Sequence, residues 1–449
     1  MTAPLSRRTL ASYSAITLPL AAMSMPIAVY MPPFYGQGLG LELTAIGTIF
    51  MIARIWDVVT DPVMGTVIDR YETRWGRRKH WVAISLPILL LSIWHVFLPD
   101  PEAVSTFYLG FWLLTLYAGY TMAAIAHQSW GADLSTSYDE RSRLYGWREI
   151  FVIGGMTLVL AIPALVELFG DGSFTTKVGA MGLFAFVLLP LAAIPLLWFV
   201  PDAPSATTTP VDWRATLRIV TADRPFRRVL IADLTTGFGS TANASLYIFF
   251  ATWVFELPSH ASFALLLYFL SGFLAMPLWL KLAYAVGKDR AIRLALGYGI
   301  TLKIALFTFA EAGNVPLFWT YTFLYGAAFG AAPTLLRSMT ADLTDVDELA
   351  HGAKRAGTYF ALLTTTNKLG SALAVGVVLW IVQTWVGFDP RGDNAPQVVD
   401  GLLLVYCAAQ ILAMGIALLP LLNYPVDRDA HALVREQLAA QAEAAGKPA

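Results

Sequence analysis

The sequence predicts an all-α integral membrane protein with twelve transmembrane helices in two six-helix halves. Hydrophobic residues make up 57% of the 449 residues and charged residues only 14%, a composition far too apolar for a soluble protein of this length. Apolar runs of about twenty residues, each long enough to cross a bilayer as a helix, recur along the chain. A polar segment without such a run lies between the sixth run and the seventh, which predicts the division into halves.

Six predicted spans lie on each side of that segment. They cover residues 11–35, 44–67, 81–98, 105–130, 149–168 and 178–200, followed by 229–255, 261–286, 291–312, 316–339, 359–386 and 401–422. We therefore expect an N-terminal half over residues 1–200, a cytoplasmic linker over 201–228, a C-terminal half over 229–422 and a cytoplasmic tail over 423–449. The polar tail is expected to form a short helix or a disordered end.

Basic residues occupy alternate loops, and this pattern predicts the orientation in the membrane. Clusters of Lys and Arg lie within 70–79, 141–148, 214–228, 288–293 and 354–355. The loops on the opposite side carry only Lys177 and Arg391. Because basic residues favour the cytoplasmic side, we expect a multi-pass plasma-membrane protein, in a bacterial inner membrane, with both termini in the cytoplasm. Arg7 and Arg8 precede the first span without a cleavage site, which indicates a tail and not a cleaved signal.

The composition and the motifs exclude several functional classes. The net charge of −1 gives no indication of nucleic-acid binding. The single cysteine, Cys407, excludes an intramolecular disulfide framework and a cysteine-based metal site. The sequence contains no phosphate-binding, zinc-protease or dinucleotide-binding motif, so we predict no cofactor and no enzyme activity. Ion gradients are the remaining obvious source of energy.

Ionisable residues inside the second span are the strongest functional signal. Arg54, Asp57 and Asp61 follow one another at i, i+3 and i+7, a spacing that places them on one face of a helix. Each costs about 2.5–3.5 kcal/mol at the centre of a membrane, so this face must meet a cavity, a partner or a bound ion. Asp57 and Asp61 can share a proton or bind Na⁺ as a metal ion through their oxygens, and Thr60 would add a ligand for Na⁺.

Lys368, in the segment TTTNKLGSAL of the eleventh span, is the predicted counter-charge for these carboxylates. A basic residue that competes with the cation for the same acids would couple ion occupancy to conformation, and Arg54 could also serve. Gly370, two residues later, allows another helix to approach closely. Structural ion pairs that only join helices are the alternative for Lys368 and for the Arg54–Asp57 pair.

Other polar side chains in the spans are candidates for substrate contacts. His127, Gln128 and Trp130 form a polar and aromatic cluster in the fourth span, for which a hydrogen-bonded core histidine with an interfacial tryptophan is the alternative. For Asp233 in the seventh span we favour a cavity lining over helix packing. Lys303 in the ninth span is interpreted as structural or as snorkelling to the membrane surface.

The stretch RIWDVVTDPVMGTVIDRYETRWGRRKHW at residues 54–81 resembles the signature of the glycoside-pentoside-hexuronide:cation symporters, the melibiose-permease group of the major facilitator superfamily. The segments DLSTSYDERSRLYGWREIFVIGG, ADLTDVDELAHGAKRAGTYFA and NKLGSAL match the same family in the expected order. The resemblance covers nearly the whole chain. It implies the major facilitator fold, with alternating access by rocking of the two halves around a substrate pocket at their interface.

The resemblance also implies roles for individual residues. The family's cation-site acids fall on Asp57 and Asp61, its eleventh-span lysine on Lys368 and its arginine at the start of the fifth span on Arg148, a candidate for substrate binding. Sugar-transporting relatives carry an acid in the first span and another in the fourth. Here the first span has no Asp or Glu, and Ala124 occupies the fourth-span position. Because that acid also serves the cation site in those relatives, its absence favours protons over Na⁺.

Three hypotheses follow from these observations. The favoured one is a secondary active transporter in the lipid bilayer that couples H⁺ or Na⁺ to symport of a sugar, glycoside or related small organic solute by alternating access. The fold needs only one chain, so we expect a monomer to function. The second is a transporter of an amphiphilic, lipid-like or xenobiotic substrate, since lysolipid transporters of animals share the family fold. The third, a sensor or inert scaffold, is disfavoured because buried charges are costly to keep without use.

Overall fold

The computed structural model describes residues 5–134, 138–170, 172–202, 223–352 and 355–444. The first half forms α1 (Arg7–Gly38), α2 (Leu43–Arg70), α3 (Lys79–Phe97), α4 (Thr106–Leu134), α5 (Tyr138–Phe169) and α6 (Phe174–Phe199). The second half forms α7 (Arg224–Phe249), α8 (Ala261–Val286), α9 (Lys288–Phe309), α10 (Val315–Gly326), α11 (Ala331–His351), α12 (Ala356–Thr384) and α13 (Pro396–Leu421). The tail contains a further helix, α14 (Arg428–Ala444). Most of the predicted linker, residues 203–222, lies outside the described residues.

Ten of the helices in the described ranges are long and apolar enough to cross a membrane. This confirms the all-α membrane fold. The other two predicted spans correspond to α7, which carries Asp233 and several hydroxyl residues, and to α10 with α11. The expected continuous span over 316–339 is interrupted at residues 327–330. Gly330 has a φ of +79° there, a left-handed conformation that glycine adopts at little cost.

The helix α1 is irregular because of its prolines. It contains two π-helical turns, Pro26–Tyr30 and Phe34–Gly38, on either side of a short helical segment that ends in two prolines. Proline cannot donate the backbone hydrogen bond that a regular helix requires, and wider turns of this kind accommodate the loss. The irregular part of α1 begins two residues after Ser24, which lines the cavity described below.

The chain forms two compact units. Unit 1 comprises Met1–Pro210, Ala244–Leu266 and Val375–Val399, and unit 2 comprises Val211–Asn243, Leu267–Ala374 and Asp400–Ala449. Unit 1 therefore contains the whole predicted N-terminal half, together with the end of α7, the start of α8, the end of α12 and the first residues of α13. The sequence does not indicate that these segments join unit 1. The predicted division into halves, linker and tail stays a prediction.

In unit 1, the basic loop between α2 and α3 is held by an acid from the end of α6. The carboxylate of Asp202 accepts hydrogen bonds from the backbone N–H groups of Arg78 at 2.9 Å and Lys79 at 3.0 Å. Gly76 has a φ of +112°, and a Cβ there would collide with the Asp202 carboxylate. These contacts hold the end of the basic loop against Asp202 at the start of α3.

In unit 2, α7, α9, α11, α12 and α13 share an apolar core that includes Phe226, Ile292, Leu336, Tyr359 and Leu421. The same unit contains several ion pairs. Lys288 at the start of α9 lies 2.7 Å from Asp342 of α11. Buried Asp347 accepts hydrogen bonds from Arg355, and these bonds raise the pKa of the Arg355 guanidinium, which therefore stays charged. The tail helix α14 joins the same network through His431 and Asp345.

Candidate functional site

Asp57 on α2 is the centre of the candidate cation site in unit 1. Its residue is only 2% exposed, and its Oδ1 accepts a hydrogen bond of 2.6 Å from the Thr121 hydroxyl of α4. The Arg54 guanidinium, about one turn earlier on α2, lies 4.9 Å from the centre of the Tyr117 ring of α4. Tyr117 and Thr121 are four residues apart and share a helix face. This face of α4 therefore provides both a ring and a hydroxyl to the charged face of α2.

Thr60 and Asp61 on the same helix are half-buried. The Thr60 hydroxyl donates to the Asp57 backbone carbonyl at 3.3 Å, which leaves its oxygen able to accept or to bind a cation. Within the described ranges no group of three or more His, Cys, Asp or Glu residues could hold a metal ion. The oxygens of Asp57, Asp61 and nearby hydroxyls suit a proton or a hard cation such as Na⁺, and they lack the nitrogen and sulfur ligands that transition metals prefer.

Thr121 is a residue that the sequence analysis missed. The sequence feature that could have indicated it is its position, about one turn before Ala124. Ala124 occupies the position at which sugar-transporting relatives carry an acid. A threonine in an apolar helix more often bonds to its own backbone than to a distant carboxylate. Thr115 on the same helix does so, because its hydroxyl donates to the Phe111 carbonyl at 2.7 Å. Only the structure distinguishes the two threonines.

A cavity of about 170 Å³ lies in unit 1 between α1, α4 and α5. His127, Gln128 and Arg148, three residues predicted to contact substrate, all line it. The rest of the lining combines small, aromatic and apolar side chains, and it comprises Thr17, Leu20, Ala21, Ser24, Tyr120, Ala124, Val152 and Met156. The Nε of Arg148 is buried without a hydrogen-bond partner among the described residues. A buried donor of this kind gains from a ligand acceptor.

His127 and Trp130 have packing contacts that the sequence did not distinguish from substrate contacts. The His127 ring stacks on Tyr13 with 4.1 Å between ring centroids, and its Nε2 lies 2.8 Å from the Tyr13 carbonyl oxygen. The Tyr13 hydroxyl in turn donates to the His127 carbonyl at 2.9 Å. Trp130 is fully buried, and its indole N–H donates to the Pro201 carbonyl at 2.8 Å. The cavity lining includes His127 but not Trp130.

In unit 2, Asp233 of α7 is bound by the residues that precede Lys368 on α12. Its two carboxylate oxygens accept hydrogen bonds from the Thr366 hydroxyl at 3.0 Å and the Asn367 amide at 3.3 Å. Asp233 is only 4% exposed, so these bonds favour helix packing over the cavity lining that we expected. Lys368 itself is half-buried. The close approach predicted at Gly370 is confirmed, because a Cβ there would collide with the Leu234 backbone carbonyl.

Lys303 of α9 is fully buried in unit 2, which rules out snorkelling and leaves the structural interpretation. Its ammonium donates to the Asn243 side-chain oxygen of α7 at 2.6 Å. The same group lies 3.5 Å from the centre of the Tyr406 ring of α13 and 4.8 Å from that of Tyr325 of α10. Aromatic faces stabilise a cation electrostatically. One lysine thus joins α7, α9, α10 and α13.

Ten helices in the described ranges that are long and apolar enough to cross a membrane, a buried acid on one of them and a partly polar cavity are features of a multi-pass membrane transport protein. The chain belongs to the family described as MFS/sugar transport protein, whose model matches residues 12–428. It is accordingly a transporter of the major facilitator superfamily and not an enzyme.

Several proteins are similar to the chain over most of its length. The isoprimeverose transporter of Lactiplantibacillus pentosus is 24% identical, over 90% of this chain and 85% of that protein. The putative glycoside/cation symporter YagG of Escherichia coli (strain K12) is also 24% identical, over 92% and 91%. The sodium-dependent lysophosphatidylcholine symporter 1 of Homo sapiens is 23% identical, over 85% and 76%. The crystal structure of the nucleoside transporter NupG shares the fold, with a TM-score of 0.64, 16% identity and coverage of 93% and 100%.

Proposed function

We propose that the chain is a cation-coupled symporter of a sugar, a glycoside or a related small organic solute. The observation that carries this proposal is the buried Asp57 carboxylate, bound by Thr121 on the helix that also lines the cavity. An acid in the interior of a membrane protein is costly unless it takes part in transport or pairing. The names of the relatives, an isoprimeverose transporter and a glycoside/cation symporter, support the class of substrate and the use of a cation.

Coupling between the cation and the substrate would pass through α4. Thr121 contacts Asp57 and belongs to the same helix as Tyr120 and Ala124 of the cavity wall. Binding of H⁺ or Na⁺ at Asp57 and Asp61 neutralises the negative charge that accepts the Thr121 hydrogen bond. The relative free energies of two positions of α4 would change as a result. In the empty carrier, the proposed role of Lys368 is to supply the positive charge that the cation otherwise provides.

Substrate would be held at the cavity of unit 1 by groups that match hydroxyl-rich solutes. Arg148 offers a donor without a partner in the described structure, and Gln128 offers both a donor and an acceptor. The alternative substrate is an amphiphile. Leu20, Val152 and Met156 give the cavity an apolar side, and one relative is named for transport of lysophosphatidylcholine. These side chains could contact either the ring face of a sugar or an acyl chain.

We also propose a location and an assembly state. The asymmetry of Lys and Arg between loops supports cytoplasmic termini, and the naming of one relative from Escherichia coli as an inner membrane symporter supports a bacterial inner membrane. A single chain supplies both the cation site and the cavity, which supports function as a monomer.

The first test is uptake by right-side-out membrane vesicles under an imposed proton or Na⁺ gradient, with labelled sugars, glycosides and lysolipids supplied one at a time. We expect concentrative uptake of one of the sugars or glycosides with one of the two gradients. Uptake of lysolipid alone would support the alternative substrate. Uptake that ignores both gradients would contradict symport.

A Thr121→Val substitution is expected to identify the coupling ion. If the ion is Na⁺, loss of a hydroxyl oxygen raises the half-saturating Na⁺ concentration by about tenfold, which corresponds to about 1.4 kcal/mol. If the ion is H⁺, uptake by the variant stays independent of the Na⁺ concentration and only its dependence on pH changes, because Thr121 donates directly to Asp57. Uptake measured against Na⁺ concentration and against pH gives both dependences. Thr115→Val on the same helix is the matched control, and equal cation dependence in the two variants would contradict the proposed site.

A further inference from the structure

Two helices have first turns that lie in unit 1 and are capped by side chains from helices distant in the sequence. The carboxylate of Glu167, in the last turn of α5, accepts hydrogen bonds from the backbone N–H groups of Ser262 at 3.1 Å and Phe263 at 3.3 Å, in the first turn of α8. The side-chain oxygen of Gln383, in the last turn of α12, accepts from the N–H of Thr44 at 2.6 Å, in the first turn of α2. N–H groups of a first turn have no partner within their own helix.

The two caps occupy equivalent positions in the predicted halves. The fifth span of the first half caps the second span of the second half, and the fifth span of the second half caps the second span of the first half. Such a pair of equivalent caps is expected of a protein built from two related halves, and it is not expected of two unrelated contacts. All four helix ends lie in unit 1, and Thr44 is at the end of α2 opposite the basic loop. In the proposed orientation this is the outer side of the membrane.

The caps differ in charge. Glu167 also forms an ion pair of 2.7 Å with Lys177 at the start of α6, and the two side chains are only 2% and 6% exposed. A carboxylate at a helix N-terminus also interacts favourably with the helix dipole. Gln383 is neutral, and it caps α2 where the preceding residue, Glu42, makes no side-chain cap. The Glu167 cap is therefore the stronger, because its hydrogen bonds and its ion pair are charge-assisted.

We propose that the two helix caps form the outer gate of the transporter. The cap made by Glu167 with Lys177 contributes most to its closure, and the cap made by Gln383 contributes less. The gate rests on the proposed function, because alternating access requires that an outer closure open and close. When Glu167 and Gln383 bind the two helix ends, the cavity is closed to the outside. When the bonds break, the capped ends of α2 and α8 are released and substrate can enter from the outside.

The test measures access to the cavity from each side of the membrane. Ser24 is replaced by cysteine in a Cys407→Ala background, and the rate of labelling by a membrane-impermeant maleimide is measured in right-side-out and in inside-out vesicles. We expect Glu167→Gln to raise the labelling rate from the outside by about tenfold and to lower the rate from the inside. Gln383→Leu is expected to act in the same direction with a smaller change.

Several controls distinguish a gate from a structural role. Glu102→Gln, an exposed acid in the outer loop between α3 and α4, should leave both labelling rates at the parent values. The double variant Glu167→Gln with Lys177→Met removes both charges without leaving one buried alone, so it serves if the single variant does not reach the membrane. A loosened fold would raise the labelling rate from both sides of the membrane, and this result would overturn the proposed gate. Labelling rates unchanged in both Glu167→Gln and Gln383→Leu would also overturn it. The labelling measurement uses neither substrate nor cation. The gate can therefore be disproved while the proposed symport is supported, and symport can be disproved while the gate is supported.

Discussion

Asp57→Asn is expected to abolish gradient-driven accumulation of substrate. Asparagine keeps the size of the side chain and can still accept the Thr121 hydrogen bond, but it cannot carry a proton or balance Na⁺ with a negative charge. Loss of about 3 kcal/mol of coupling free energy corresponds to about a 100-fold lower rate of concentrative uptake. Initial rates in vesicles with an imposed gradient give the measurement.

Exchange of substrate across vesicles without a gradient should persist in Asp57→Asn, because the cavity between α1, α4 and α5 is untouched. Asp61→Asn is expected to lose accumulation as well, and the comparison of the two shows whether the acids act together. Thr66→Val is the matched control on α2, since the Thr66 hydroxyl is exposed and donates to the Pro62 carbonyl at 2.9 Å. Accumulation at the parent level by Asp57→Asn would contradict the proposed cation site.

Gly370→Ala is expected to produce the largest loss of stability. The added Cβ would meet the carbonyl oxygen and carbon of Leu234 and, at 3.1 Å, the backbone nitrogen of Phe238. Backbone atoms cannot rotate away as a side chain can, so α7 and α12 must separate. Their separation would stretch the hydrogen bonds from Thr366 and Asn367 to buried Asp233. We expect a destabilisation of about 2–3 kcal/mol, together with loss of transport.

The measurement for Gly370→Ala is the thermal unfolding midpoint of the purified protein in detergent, combined with uptake in vesicles. Gly357→Ala on the same helix is the matched control, because nothing lies within 4 Å of a Cβ at that position. Alanine favours a helix over glycine, so the control should be as stable as the parent or slightly more stable. Equal midpoints for the two variants would contradict the close packing of α7 against α12.

The sequence was sufficient for the membrane fold because hydropathy and length depend on residues that are neighbours in the chain. It was insufficient at the break between α10 and α11, where Ala327, Ala328 and Phe329 are as apolar as the helices around them. At this break α10 packs closely against α8, since a Cβ on Gly326 would collide with the Tyr268 carbonyl. Hydropathy contains no information about such a contact.

Residues of the candidate site could be predicted when their burial in a membrane is costly. They could not be predicted when their role depends on a partner that is distant in the sequence. Asp57 stands out because an acid in a membrane span is costly. His127, Gln128 and Arg148 stand out as polar residues, and the structure brings them to one cavity. Thr121 could not be recognised, because its role depends on a residue 64 positions away. Glu167 lies near the end of a span, where snorkelling explains a charge equally well.

Lys303 has a consequence for how the protein is made. A lysine at this depth costs about 2.5–3.5 kcal/mol when its helix enters the bilayer alone. Its hydrogen-bond acceptor, Asn243, is synthesised before it, but the closest aromatic ring belongs to Tyr406 in α13. The ribosome must therefore add about four more helices before this charge is fully enclosed. Until then α9 depends on α7 or on the insertion machinery, so the second half completes its membrane integration late.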